Sequence, residues 1–236
     1  MGAYTVTGAS AQGCINTSVS NVSVGLSVLP SISSNTPCVG TNLNLSTGAA
    51  ISYTWSGPSG FNSSLQNPVV NNSNIINAGT YSITSISAAG CIASNTLAVT
   101  INTLPLISST PNTTVCALSA INFTASGGNS IVWIGPGGFN STSYSPSISS
   151  ASLANAGNYT LTASNLTGCS SSTIISVTVN NLPIVTVNNP TICTNGNLVF
   201  NANGGNNYSW QGPLAFNSAI QNPTITNATI GNSGSY

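Results

Sequence analysis

One register governs this chain and leaves little choice of fold. The segments S-Y-T-W-S-G-P-S-G-F (52–61), S-I-V-W-I-G-P-G-G-F (130–139) and N-Y-S-W-Q-G-P-L-A-F (207–216) align without a gap. N-A-G-T-Y (77–81), N-A-G-N-Y (155–159) and N-S-G-S-Y (232–236) do the same. A cysteine precedes each tryptophan at one fixed offset (Cys38 and Trp55, Cys116 and Trp133, Cys193 and Trp210), and a tyrosine follows each at another (Tyr81, Tyr159, Tyr236). The period is 78 and then 77. Self-similarity at a fixed period signals a tandem array of one supersecondary unit. Length varies only around Asn102–Pro105 and Asn181–Pro183, which read as linkers.

Within a period the pattern is that of strands. Alternation appears in Leu43-x-Leu45, Tyr53-x-Trp55, Tyr81-x-Ile83 and Leu97-x-Val99-x-Ile101, the mark of half-buried strands. Gly-Pro at 57–58, 135–136 and 212–213 marks a turn after each tryptophan strand. Strand signals at short, regular intervals with no capped helical period predict an antiparallel sandwich of about seven strands per unit. The expected core is Trp55, Trp133 and Trp210, then Tyr81, Tyr159 and Tyr236, with Val70, Ile148 and Ile225 at one offset before each tyrosine. A tryptophan on such a strand is read as core before it is read as a sugar platform.

The N-x-G-x-Y element before a strand, with a tryptophan on an earlier strand, resembles the immunoglobulin-like sandwich, whose D-x-G-x-Y forms a tyrosine corner. Asn77, Asn155 and Asn232 stand where that family has Asp. Two positions after the tyrosine, where an antibody domain has its core cysteine, stand Ile83, Leu161 and, in the first fragment, Val6. With the W-x-G-P-x-x-F segment, the chain looks like the Ig-like or PKD-like tandem repeats of large secreted bacterial surface proteins, adhesins and fibres. The resemblance implies an all-β fold of tandem immunoglobulin-like β-sandwich repeats, one to each period of 77 or 78. The expected domains are a C-terminal hairpin fragment at 1–28, repeats at 29–104 and 105–182, and an N-terminal partial repeat at 183–236.

The six cysteines follow the same register. Cys38 stands to Cys91 as Cys116 stands to Cys169, and laying Tyr236 on Tyr4 gives Cys193 and Cys14 that same separation. This predicts disulfides Cys38–Cys91 and Cys116–Cys169 within repeats, and Cys193 with Cys14 of a following subunit. Such a framework places the chain in an oxidising, extracellular or cell-surface compartment. No basic segment followed by an apolar stretch opens the chain, so any export signal is expected to be already removed.

Composition limits function further. The chain has no Lys, Arg, Asp, Glu or His, where an ordinary chain of this length would carry roughly 60 charged residues. General acid–base chemistry loses nearly all its side chains, and calcium and magnesium their carboxylates. Cysteines never fall in CxxC pairs suited to zinc. Phosphate contacts need Lys and Arg, so no nucleic-acid partner is expected. No apolar run approaches the length of about 20 residues that a membrane span needs. The chain is therefore read as no enzyme, with no cofactor and no metal. The many N-x-S/T sequons, such as those at Asn16 and Asn62, are what this composition produces on its own.

Two functions remain. One is a structural, chemically inert segment of an extracellular fibre, its partner another copy of itself in a head-to-tail filament. Residues 1–28 of one molecule would complete the 185–236 half-domain of the next, or the chain is one period of a longer polypeptide. The alternative is a cell-surface adhesin module that binds a glycan or protein ligand through its loops. The equal Trp-to-Tyr register in all three units favours the first.

Overall fold

The computed structural model describes residues 2–25 and 27–236, so Met1 and Leu26 of the expected 1–28 fragment lie outside the described residues. All regular structure among those described is strand, apart from short 3-10 turns. The residues fall into two compact units: Met1–Ser108 with Ala125–Val132 and Leu161–Thr173, and Ser109–Thr124 with Trp133–Thr160 and Ile174–Tyr236.

The first unit holds a hairpin, β1 (Gly2–Ala9) and β2 (Ile15–Val22), followed by a seven-stranded sandwich. Its strands are β3 (Ile32–Ser34), β4 (Leu43–Thr47), β5 (Ser52–Gly57), β6 (Phe61–Ser63), β7 (Val69–Val70), β8 (Gly79–Ile86) and β9 (Ile92–Val99). One sheet has the order β3-β4-β7, the other β6-β5-β8-β9. Past the end of β9, Asn102 bridges Cys38 in parallel. Three strands facing four, with the first segment added in parallel to the last, is an immunoglobulin-like sandwich in which β6 joins the sheet of β5, β8 and β9 instead of the opposite sheet, where a constant-type domain has its fourth strand.

Between the sheets, Leu43, Leu45, Trp55, Tyr81, Ile83 and Val99 form one buried cluster. They come from alternate positions on β4, β5, β8 and β9, as the period of two requires. Val70 and Ile225 are half-buried at the margin of their clusters, and Ile148 is half-buried too. Their place in the interior is taken by Leu45, Phe123 and Phe200, which share one offset from Cys38, Cys116 and Cys193. Phe123 lies 4.7 Å from the Tyr159 ring and 5.1 Å from Trp133. Phe200 lies 4.4 Å from Tyr236 and 5.1 Å from Trp210. These are ordinary stacking separations for aromatic pairs.

Each repeat has the tyrosine corner. Tyr81 donates its hydroxyl to the Asn77 carbonyl at 2.9 Å, Tyr159 to Asn155 at 2.8 Å and Tyr236 to Asn232 at 2.8 Å. The asparagine side chains accept from the backbone N–H three positions earlier, at Asn74, Ser152 and Thr229 (2.8, 2.9 and 2.8 Å). An amide oxygen is enough for this cap, so the corner survives the loss of the carboxylate. Burial raises the phenol pKa of both Tyr81 and Tyr159 by disfavouring the tyrosinate.

Two glycines per repeat are fixed by that tyrosine and by the turn. A Cβ on Gly57 would lie 2.5 Å from the Tyr81 ring, and Cβ atoms on Gly135 and Gly212 would lie 2.2 Å from Tyr159 and Tyr236. Gly79, Gly157 and Gly234 hold φ of 140°, 135° and 148°, each facing the proline of its own Gly-Pro turn at 2.8–2.9 Å from a notional Cβ. The turn brings the following phenylalanine back onto the tyrosine, edge on, at 5.3 Å for both Phe61 and Phe139 and 5.5 Å for Phe216.

On the exposed faces, hydroxyl pairs do what ion pairs do in other sheets. Ser56 and Ser82 are registered partners at 2.8 Å, as are Thr84 and Ser94 at 2.8 Å and Ser33 and Ser46 at 2.6 Å. Cross-strand pairs of this kind contribute a few tenths of a kcal/mol each.

Candidate assembly interface

The β1–β2 hairpin presents core-type residues without a core, and the third repeat has a core that is open on one side. The hairpin pairs Gly2 with Val22 through Ala9 with Ile15, the register that Gly79–Val99 and Ile86–Ile92 show in β8–β9 one period later. Its turn closes in the same way: Ser10 N–H to Cys14 O at 2.8 Å, against Ser87 N–H to Cys91 O at 2.9 Å. Yet Tyr4 and Val6 are both 66% exposed where Tyr81 and Ile83 are fully buried. Val22 and Val24 are exposed where Val99 and Ile101 are buried.

In the third repeat the pairs are Thr186–Val187 with Ala202–Asn203, Leu198–Val199 with Thr224–Ile225, and Trp210–Gly212 with Phe216–Ser218. Leu198, Phe200, Trp210 and Tyr236 line an open groove of about 560 Å3, with Cys193 on its rim. The two earlier tryptophans are fully buried while Trp210 keeps 8% exposure. The groove lies where the last hairpin of an Ig-like sandwich belongs.

The expected cysteine pairing needs correction. Cys38 bonds Cys169, at a sequence separation of 131 and a Cα–Cα distance of 5.7 Å, whereas Cys91 and Cys116 are free thiols, as are Cys14 and Cys193. Neither Cys38–Cys91 nor Cys116–Cys169 forms, and the sandwich forbids the first. Cys91 precedes β9 directly and Cys38 bridges Asn102 beyond its other end. A strand of eight residues at about 3.3 Å each puts ~26 Å or more between them, against a bonding limit of about 7 Å. Cys169 instead directly precedes the last strand of the second repeat (Ser170–Asn180) and rests beside Asn102, its sulfur 3.9 Å from the Asn102 carbonyl. The same end is held by Asn165 Nδ2 on Thr103 O at 2.8 Å and Ser171 Oγ on Pro105 O at 2.5 Å. The disulfide therefore joins the head of one repeat to the hairpin of the next.

Of the remaining site residues, Trp55, Trp133, Tyr81 and Tyr159 are fully buried, Trp210 nearly so, and Tyr236 half-buried at the open groove. Trp55 Nε1 donates to Leu65 O at 2.9 Å and Trp210 Nε1 to Ile220 O at 3.0 Å. Trp133 Nε1 is buried with no hydrogen-bond partner. Among the described residues no group of three potential metal ligands gathers, and no helix is long and apolar enough to cross a membrane.

No protein-family model and no curated protein matches the chain. Among solved structures it is similar to the three N-terminal domains of the highly immunogenic outer capsid protein of bacteriophage RB49, at 13% identity and TM-score 0.38, covering 83% of this chain and 80% of that one. It is similar to the amphioxus IgVJ-C2 molecule, at 16% identity and TM-score 0.30, over 61% of this chain and 99% of that one. Similarity to the N-terminal eight Ig domains of Down syndrome cell adhesion molecule reaches 15% identity and TM-score 0.49, over 99% of this chain and 37% of that one. Sheet order, tyrosine corners and repeat register together make the chain a tandem array of immunoglobulin-like β-sandwiches.

Proposed function

We propose that the chain is a structural segment of an extracellular fibre built from Ig-like repeats joined head to tail. One observation carries this reading: one sandwich unit recurs along the chain in a fixed register, and the Cys38–Cys169 disulfide ties the head of one repeat to the hairpin of the next. An exposed apolar face such as that of Tyr4 and Val6 on the β1–β2 hairpin favours association with a like unit. The disulfide supports an oxidising compartment. A surface with no charged side chain suits a segment whose task is to persist, since salt and mild pH changes find nothing to act on.

Sedimentation velocity and electron microscopy of the 236-residue chain test it. Val6 occupies the position of the buried Ile83, so V6D should abolish assembly while the unaltered chain forms fibres. Unaltered chain that stays monomeric at high concentration, or V6D that assembles equally well, would overturn the reading. Binding to a glycan array by chain that forms no fibres would favour the adhesin role instead.

A further inference from the structure

We infer that the Cys38–Cys169 bond is a redox-sensitive latch on the linker between the first and second repeats, setting how often that joint opens while the sandwich cores stay folded. The compact units do not follow the repeats. The first unit runs past the linker and takes in Ala125–Val132 and Leu161–Thr173, which belong in sequence to the second repeat. Every contact that makes the joint lies inside this unit.

Beyond β9, Asn102 N–H donates to Pro37 O at 2.9 Å, and the Asn102 carbonyl accepts from Val39 N–H at 2.9 Å. From the second repeat, Asn165 Nδ2 donates to Thr103 O and Ser171 Oγ to Pro105 O. Gly127, at φ 101°, lies so near the linker that a Cβ on it would fall 1.9 Å from Leu106 O. Single hydrogen bonds to a linker compete with water and are weak on their own. The sulfur bridge, with Cys169 buried and Cys38 half-buried, keeps both sides in place whenever those bonds break.

The junction after the second repeat supplies the contrast. Ala117 N–H donates to Asn180 O at 2.8 Å, as Val39 does to Asn102 O. A Cβ on Gly204 would lie 1.9 Å from Ile184 O, as one on Gly127 would from Leu106 O. Cys116, however, is an exposed free thiol. Hydrogen bond and glycine packing recur while the bridge does not, so of these two joints only the first answers to redox conditions. A dithiol that gives two electrons and two protons to the Cys38–Cys169 bond leaves two thiols and its own disulfide. The joint then rests on hydrogen bonds and packing alone, and opening a segment held so lightly needs no unfolding of a core.

Amide hydrogen exchange of the 236-residue chain, read by mass spectrometry of peptic peptides with and without excess dithiol, tests this. The excess also keeps Cys14, Cys91, Cys116 and Cys193 as thiols. Reduction should speed exchange in peptides covering 37–40, 101–108 and 164–171. Exchange at Ala117 should not change, and Tyr81, Ile83 and Tyr159 should stay protected. C38S/C169S should reproduce the reduced pattern without dithiol, and N165A/S171A, with the bridge intact, should keep the oxidised one. Equal exchange at Val39 and Asn102 in both redox states, or N165A/S171A that exchanges like the reduced chain, would overturn the inference. So would loss of protection across both sandwiches together, on reduction or in C38S/C169S, because the bond would then hold the fold and not the joint.

Discussion

Replacing Gly57 by alanine is a small chemical change at a place with no room for it. Gly57 is fully extended, with φ −170°, so alanine adds no backbone strain. Its Cβ, however, would lie 2.5 and 2.6 Å from Cδ1 and Cε1 of Tyr81. Carbon atoms settle at about 3.5–4.0 Å, so the ring has to retreat by roughly 1 Å. It is held at one end by the hydroxyl bond to Asn77 at 2.9 Å and on its flank by Phe61 at 5.3 Å. Overpacking of this kind costs about 1–3 kcal/mol, and the tethered ring places G57A in the upper half. For a domain of this size that lowers the melting point of the first repeat by roughly 10–20 °C. Calorimetry of the whole chain reads the shift. Y81L, which removes the ring, supplies the second arm of a double-mutant cycle, in which G57A should cost almost nothing further. A shift under 2 °C for G57A, or an equal cost with and without the tyrosine ring, would refute the packing argument.

Other outcomes follow from the corner, the turn and the orphaned indole. Buried Tyr81 and Tyr159 have raised phenol pKa values, so their contribution is whole below about pH 10 and is lost as pH climbs beyond it. Melting temperature should stay within a few degrees from pH 3 to 9 and from 0 to 2 M salt, then fall at higher pH, and the double variant Y81F/Y159F should flatten that fall; a marked loss on acidification would contradict it. Leu214 and Ala215 hold φ of 55° and 58° where the first two repeats place Ser59-Gly60 and Gly137-Gly138, so A215G should stabilise the third repeat by about 1 kcal/mol in urea titrations. Trp55 Nε1 has a carbonyl partner and Trp133 Nε1 has none, so W133F should cost about 1 kcal/mol less than W55F; equal costs would refute it.

What the sequence disclosed and what it hid have one cause. Repetition exposes whatever is the same in every unit, so Trp55, Trp133 and Trp210 and the corner tyrosines Tyr81 and Tyr159 could be placed in the core from spacing, while Tyr236 sits half-buried at the open groove. The same repetition concealed the disulfide. In a translational array, the spacing of Cys38 to Cys91 within a repeat and that of Cys38 to Cys169 between neighbours recur together, and only the direction of β9 decides between them. The inner role of Phe123 and Phe200 was available in principle, since both stand at one offset from a cysteine. The first repeat masks it by using Leu45 there. Trp133's missing partner lies beyond sequence reasoning, because a hydrogen-bond acceptor on the backbone carries no residue type.

The Cys38–Cys169 bond also decides how the chain answers a pull. Tension arriving at residue 38 crosses the sulfur bridge to residue 169 and bypasses the 131-residue loop between them. Stretched out, that loop would yield roughly 450 Å of slack at about 3.5 Å per residue. While the bridge is intact none of it can be released, even if the sandwich of residues 32–99 were to melt. Reduction of a single covalent bond would therefore change a short, stiff link into a long extensible one. A chain bridged this way resists drawing out through its cysteines first and through its folded sandwiches only afterwards.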